Sequence, residues 1–195
     1  MTPLGDRHGR PRETAQHLIL LGVDPLGAQH LGSYLELLAR WSRKVNLTGL
    51  SDPVETLVTP VLPLARAVEK GRTIDLGTGN GSPGLVLALL RPDLKVTLIE
   101  PRLRRWAFLR EAARRCDRPD IEVLRGRHDD YKGEPAFNVT LRGLNLPLAE
   151  IERLVAPGGR LFAYGSGRVA TGTFESQGEP SLQAAGIQVF RRCFT

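Results

Sequence analysis

Ten consecutive residues, Asp75-Leu76-Gly77-Thr78-Gly79-Asn80-Gly81-Ser82-Pro83-Gly84, carry the strongest chemical signal in the chain. Glycines at 77, 79 and 81 omit Cβ atoms where backbone must turn sharply and let a ligand approach. Pro83 suits the first turn of a following helix, where its missing N–H would have no partner anyway. Amides at such a helix start can face a polar or anionic ligand. Glu100 ends the next apolar segment, Lys95 to Glu100, and a carboxylate there can accept two hydrogen bonds from a ribose diol. Loop and acid together describe a nucleotide-type cofactor site. Gly79-Asn80-Gly81-Ser82-Pro83-Gly84 fits G-x-G-x-x-G, the dinucleotide fingerprint, which would make the protein an NAD-linked oxidoreductase.

A sheet must hold these residues. The strand Arg72–Leu76 runs directly into Gly77, and helical and strand patterns alternate after it. Strands are expected at 72–76, 95–100, 121–126, 136–141 and 160–164, with helices at 83–90, 102–116 and 147–155. Residues 165–180 read as a long loop, and 187–190 as one last strand. Such alternation implies an α/β fold, a mostly parallel Rossmann-like sheet with helices on both faces. Ligands bind such sheets outside the carboxyl ends of the strands, here Asp75/Gly77, Glu100, Arg125 to Asp129, and Arg142. Register bears on the cofactor. A dinucleotide loop begins immediately after its strand, yet the first residue after Leu76 is Gly77, not Gly79. Asp75-x-Gly77-x-Gly79-x-Gly81 instead resembles the first motif of S-adenosyl-L-methionine (SAM) methyltransferases.

Upstream, residues 1–13 are polar and rich in Gly, Pro and Arg, and are expected to be disordered. Residues 14–70 form a helical extension ahead of a catalytic domain at 71–195. Leu18, Leu21 and Val23 close a short helix before Asp24-Pro25, and Leu26, Leu31, Tyr34, Leu35, Leu38 and Trp41 mark a stripe on a second. Asn46 to Gly49 breaks that pattern. Ser51-Asp52-Pro53 reads as the cap of a piece spanning Val54 to Val58, and a third helical piece follows at Pro63 to Lys70.

At 195 residues and 41% hydrophobic content, the chain fills one domain with an extension. Its 27 basic against 21 acidic residues give a net charge of +6, which favours a polyanionic partner such as nucleic acid. Cys116 and Cys193 lack metal-ligand spacing, so buried or tolerated thiols are expected, with no metal site. No apolar stretch approaches the roughly 20 residues of a membrane span, and residues 6–13 lack a signal-peptide core. A cytoplasmic protein, expected to be a monomer, follows.

Several further residues could do chemistry. The segment Arg102 to Arg115 holds six arginines and one acid; with Trp106, Leu109, Ala113 and Cys116 toward the sheet, its arginines face outward. They are either a solvated face or, with Arg125, Arg127, Arg191 and Arg192, a phosphate-binding surface. His128, Asp129 and Asp130 follow the third strand. Adjacent side chains rarely point at one another, so a wall of the cofactor pocket is a better reading than a His–Asp acid/base pair. Arg142-Gly143 ends the fourth strand, where a transferred methyl would sit. No cysteine is there, against a covalent cytosine-C5 mechanism, and no general base is evident. Guanine N7, with an in-plane lone pair and no proton, needs only in-line placement.

Trp41-Ser42-Arg43-Lys44-Val45-Asn46-Leu47-Thr48 resembles the W-N-x-x-x-N-L-T segment of the bacterial small-subunit ribosomal RNA guanine-N7 methyltransferases, the glucose-inhibited division protein B family. Asp75 to Gly84 is similar to that family's D-x-G-[ST]-G-x-G-x-P-G. Leu98-Ile99-Glu100, Arg105, Phe108-Leu109, Arg127, Arg142 and Pro157-Gly158-Gly159 are similar to its further elements. The resemblance implies methylation of a guanine N7 in 16S ribosomal RNA, within the 30S subunit, using SAM. Cofactor contacts would fall on Asp75, Gly77, Gly79, Gly81, Ser82, Glu100, His128, Asp129 and Arg142, with Arg142 also at the catalytic centre. The chain departs from the family at Asn80 (usually Ala), Ser82 (usually Phe) and His128-Asp129 (usually Ala-Glu). Leu57 to Leu62 lacks the histidine and aspartate of the family's H-x-x-D-S-L. Those departures imply two alternatives: a diverged paralogue with another RNA or small-molecule acceptor, or a non-catalytic RNA-binding or assembly protein retaining the fold.

Overall fold

The computed structural model describes residues 11–43 and 52–194; expectations for residues 1–10, for Asn46 to Gly49 and for Ser51 lie outside the described residues. Among the described residues seven strands form one sheet: β1 (Arg72–Leu76), β2 (Lys95–Ile99), β3 (Glu122–Leu124), β4 (Ala136–Arg142), β5 (Val155–Tyr164), β6 (Phe174–Gln177) and β7 (Ile187–Arg192). Their spatial order is β3-β2-β1-β4-β5-β7-β6. Strands β1 to β5 run parallel, and β7 is antiparallel to both β5 and β6. The chain order reverses at β1, which lies between β2 and β4, so a crevice opens at the carboxyl ends of these strands.

The alternation is as expected, with three differences. Strand β6 falls inside the expected loop at 165–180. Of its residues only Phe174 is apolar and buried, and a mostly polar edge strand gives no alternating signal. Strand β5 begins at Val155 rather than 160 and carries Pro157-Gly158-Gly159 within it, where its pairing with β4 shifts register. The helix expected at 147–155 is correspondingly short, Leu148–Ile151 followed by a single 3-10 turn at Glu152–Leu154. Pro83 precedes its helix, which starts at Gly84.

Seven α-helices surround the sheet among the described residues: α1 (Pro11–Leu20), α2 (Pro25–Ser42), α3 (Leu62–Ala67), α4 (Gly84–Leu90), α5 (Leu103–Arg115), α6 (Leu148–Ile151) and α7 (Pro180–Ala184). Helix α1 thus begins at Pro11, earlier than the expected Thr14. Asp24 starts α2, its Oδ1 accepting the N–H groups of Leu26 and Gly27 at 3.1 and 3.0 Å. Leu31, Tyr34, Leu35 and Leu38 are buried on α2, but Leu26 is 59% exposed. It lies five positions before Leu31, which rotates it about 140° off their face. Helix α2 packs on α5: Trp41 lies edge-on to Phe108, with centroids 5.8 Å apart, and its Nε1 donates to Glu111 at 3.1 Å. The buried face of α5 is Phe108, Leu109, Ala112 and Ala113, while Trp106 is half-buried. Cys116 is buried, and burial pushes its thiol up to about 12.

Carbonyls at the end of α3 and just beyond it are held by three side chains, Arg91 at the end of α4 and Arg160 and Asn138 on the sheet. Arg91 donates to the carbonyls of Ala65 and Val68 at 2.8 and 3.0 Å, Arg160 to that of Ala67, and Asn138 to that of Glu69 at 2.8 Å. A helix end leaves such carbonyls without partners, so these bonds fasten the N-terminal helices where they enter β1.

Within β1, Ile74 and Leu76 face one core and Asp75 faces the other, beneath α4. Asp75 is fully buried. Its Oδ1 accepts from Thr140, its cross-strand partner on β4, at 2.5 Å, and its Oδ2 accepts from the N–H of Gly84 at 3.2 Å. A Cβ on Gly84 would lie 2.5 Å from that oxygen, so only glycine lets α4 come this close.

Burial pushes the Asp75 carboxyl up to about 6, against the opposing hydrogen bonds from Thr140, Thr78 and Gly84. The folded state therefore holds this proton more tightly than the unfolded chain, whose carboxyl titrates near ~4. The associated stability is fully present below about pH 4 and is lost as pH rises through about 6, a change on the order of 3 kcal/mol. Urea midpoints of the wild type should fall across this window relative to those of Asp75→Asn. Parallel pH profiles for the two proteins would refute the assignment.

Candidate functional site

A cavity of about 530 Å³ occupies the crevice. Gly77, Gly79, Ser82, Glu100, His128 and Arg142 line it, brought together from four separate segments. Asp75, Gly81 and Asp129 are not among the lining residues. Asp75 supports the loop from below, as described. Gly81 (φ +108°) faces Tyr34 of α2, whose ring carbon would lie 3.0 Å from a Cβ there. The Tyr34 hydroxyl donates to the Asn80 carbonyl at 2.8 Å, and burial raises its phenol far above the usual range.

Apart from that of Asn80, the N–H groups of the loop are engaged inward. Gly77 and Thr78 donate to the Ile99 carbonyl at 2.8 and 3.3 Å, Gly79 to Glu100 Oε2 at 2.9 Å, and Gly81 to the Thr78 carbonyl at 3.0 Å. Ser82 donates to Asn80 Oδ1 at 3.4 Å. At the start of α4, Gly84 donates to Asp75, and Leu85 and Val86 donate to the Gly81 carbonyl. Free amides at this helix start were the expectation; the chain's own acceptors take them instead. A pyrophosphate cradle needs those amides.

Glu100 is 2% exposed and bridges two elements. Oε2 accepts from Gly79 and Oε1 from the N–H of Arg102 at 2.9 Å. Each carboxylate oxygen keeps a further lone pair for a ligand hydroxyl. His128 is buried in a 3-10 turn, His128–Asp130, after β3. Sequence reasoning discounted a contact between His128 and Asp129, yet His128 Nε2 lies 3.0 Å from Asp129 Oδ1 and 3.2 Å from Glu150 Oε2. The tight turn brings neighbouring side chains together, but neither contact has hydrogen-bond alignment. Arg153 holds the turn by donating to the carbonyls of His128 and Tyr131.

Arg142 reaches from the end of β4 across the cavity. Its guanidinium donates to Ser82 Oγ and to the Thr56 carbonyl, both at 3.1 Å, and lies 5.3 Å from the centre of the Tyr164 ring. Ser82 in turn donates to the Leu57 carbonyl at 2.8 Å, and Tyr164 to that of Pro60 at 3.2 Å. These partners are hydroxyls, carbonyls and a ring, none of which cancels the charge of Arg142.

Sequence reasoning missed Thr56 and Leu57, which reach the cavity from a π-helical turn at Val54–Val58, and Leu144 and Leu146 after β4. A Cβ on Gly77 would lie 2.5 Å from Leu144 Cδ1, so this leucine covers the loop directly. No local motif marks Thr56, Leu144 or Leu146, while Leu57 opens the segment set against the family's H-x-x-D-S-L. Arg102, Arg105 and Arg127 also line the cavity, as the basic composition hinted. The Lys44 to Thr48 part of the tryptophan motif lies outside the described residues.

Known proteins resemble this chain in fold and in sequence. A methyltransferase from Geobacter sulfurreducens superposes with a TM-score of 0.59 over 92% of this chain and 96% of its own, at 17% identity, which is a likeness of fold. Ribosomal RNA small subunit methyltransferase G of Methylobacillus flagellatus is 36% identical over 117 residues, 58% of this chain and 57% of that protein. The protein of the same description from Xanthomonas euvesicatoria pv. vesicatoria is 35% identical over 148 residues, 72% of this chain and 70% of its own length. The chain thus spans little more than half the length of the Methylobacillus flagellatus protein. Matched across residues 27–189, and with the sheet order and glycine loop just described, the chain belongs to the GidB family, described as rRNA small subunit methyltransferase G.

Proposed function

We propose that this protein is a SAM-dependent methyltransferase acting on N7 of a guanine in 16S ribosomal RNA, working as a cytoplasmic monomer on the 30S subunit or its RNA. One observation carries the choice of cofactor. The loop engages its amides internally, apart from that of Asn80, so this wall of the cleft presents glycine surfaces and the lone pairs of Glu100 rather than a phosphate cradle, with Arg102, Arg105, Arg127 and Arg142 on the other walls. That suits SAM, which has no phosphate, better than NAD. Among the described residues no helix is long and apolar enough to cross a membrane.

Gly77 and Gly79 would let the cofactor lie against the backbone, and Glu100 would accept its ribose hydroxyls. The turn at His128 would border the adenine, with Asp129 at its outer edge. Asp75 and Gly81 would act from beneath, by shaping the loop. Bound there, SAM supplies an electrophilic methyl group. Arg142 would then hold the acceptor base; an arginine can pair with the O6 edge of guanine through donors not already engaged. No residue needs to remove a proton, because guanine N7 carries none. Glu100, held by the amides of Gly79 and Arg102, then serves to bind rather than to take a proton.

A second reading keeps the fold and cofactor but changes the acceptor. It is favoured by Ser82, a hydroxyl bonded to Arg142 where the family usually has phenylalanine, and by the apolar Leu57 to Leu62 segment. The test is calorimetry with SAM and with NAD, followed by methyl transfer to 30S subunits and to free 16S RNA from a deletion strain. Transfer to guanine N7 establishes the first reading. SAM binding without transfer favours the second, and no SAM binding leaves a non-catalytic RNA-binding or assembly protein.

Glu100→Ala should weaken SAM binding by about 1.5–3 kcal/mol, the worth of a charge-assisted hydrogen bond; unchanged affinity in calorimetry would remove Glu100 from the site. Replacing Arg102, Arg105 and Arg127 with glutamine should weaken RNA binding. It should also flatten the plot of log K against log salt by about 0.7–0.9 for each phosphate that is no longer neutralised. An unaltered slope would make these arginines a solubilising face.

A further inference from the structure

The wall after β4 is held from a distance. Gly143 (φ +69°) has no neighbour within 4 Å of its Cβ position and starts a short irregular segment that runs to Pro147. Leu144 and Leu146 turn inward from it to line the cavity. Their carbonyls point outward, and Arg168 donates to both, through one guanidinium nitrogen to Leu146 at 2.6 Å and through the other to Leu144. Arg168 is itself fixed. Its N–H donates to Gln188 Oε1 and its carbonyl accepts from Gln188 Nε2, both at 3.1 Å, so one β7 side chain pins its backbone on both sides.

The surroundings of Arg168 indicate that this placement is specific. It sits in an irregular stretch with glycines of positive φ at 165, 167 and 172, and the adjacent Val169 is 75% exposed. Without a fixed backbone, so free a segment would not hold a planar guanidinium on two carbonyls. A fork of N–H donors matches two nearby carbonyl oxygens, which a lysine ammonium can satisfy only one at a time.

We propose that Arg168 is a positioning residue: through the carbonyls of Leu144 and Leu146 it latches the Gly143–Pro147 segment over the cleft, with Gln188 holding the latch. The proposal rests on the reading of the cleft as a SAM site. Leu144 pressed on Gly77 closes the apolar side of that cleft. Releasing the latch lets the segment swing on Gly143, and cofactor binding then includes the cost of reordering it.

The test uses the full chain as wild type, Arg168→Gln, Arg168→Lys, Gln188→Leu and the Arg168→Gln/Gln188→Leu double variant. SAM affinity is read by calorimetry. Native-state cleavage by thermolysin at the Gly143–Leu144 bond is read by mass spectrometry, with global unfolding followed in parallel. Arg168→Gln should weaken SAM binding about tenfold and speed that cleavage by a similar factor, with Arg168→Lys intermediate. Gln188→Leu should give a smaller change of the same sign, and the double variant should be no worse than Arg168→Gln, because both act through one contact. Unchanged affinity and cleavage in Arg168→Gln, or additive effects in the double variant, overturn the latch. If Arg168→Gln fails to fold, Arg168→Lys and Gln188→Leu decide by the same two readouts. If the wild type binds no SAM, the cleft reading fails, and the cleavage rates alone then decide the latch.

Discussion

Asp75 is fully buried, its two carboxylate oxygens shared between a hydroxyl on the neighbouring strand and the first amide of α4. Burying a carboxylate is costly unless such donors surround it, and this requirement fixes much of the site. Helix α4 must approach closely enough for Gly84 to donate, which excludes a side chain at that position. With α4 in place, the carbonyl of Gly81 meets the next two amides, and the loop above closes on itself. Glu100 completes the arrangement from β2 by taking Gly79. The cleft floor therefore derives its shape from two acids, one buried beneath it and one at its edge.

The N-terminal helices are part of the same construction. Tyr34 holds the loop through Asn80, while Thr56, Leu57 and Pro60 receive Arg142, Ser82 and Tyr164. Arg142 thus spans from the sheet to the extension, in direct contact with the cavity at both ends. A displacement of the π-helical turn by an ångström would change where this guanidinium points. In a reaction governed by placement, that coupling makes the extension part of the chemistry as well as the packing.

Periodicity made the sheet legible because β1, β2 and β4 are short apolar runs whose helices carry regular stripes. The glycine loop was legible for the same reason, since its register against Leu76 can be counted. Strand β6 was not, with Phe174 its only apolar anchor, nor was the start of β5, where Pro157-Gly158-Gly159 reads as a break. Within the site, Glu100 and Arg142 could be located from strand ends, and Ser82 from the likeness of the glycine loop to its family. The roles of Thr56, Leu57, Leu144 and Leu146 could not, because backbone carbonyls and ordinary leucines leave no signature in a sequence. The inward direction of the loop amides was equally hidden: identical glycines can serve a phosphate or the chain itself, and only the acceptors around them decide.

Strand β7 has a consequence for how the chain assembles. It lies between β5 and β6, and among the described residues β6 pairs with no other strand, although β6 precedes it in sequence. During synthesis the outer edge of β5 consequently stays open until Ile187 to Arg192 have emerged, a delay on the order of seconds. Gln188, which fixes Arg168, arrives on that same strand. Closure of the sheet and completion of the cleft wall are therefore late and simultaneous events, so a nascent chain can hold its glycine loop well before it has a finished pocket.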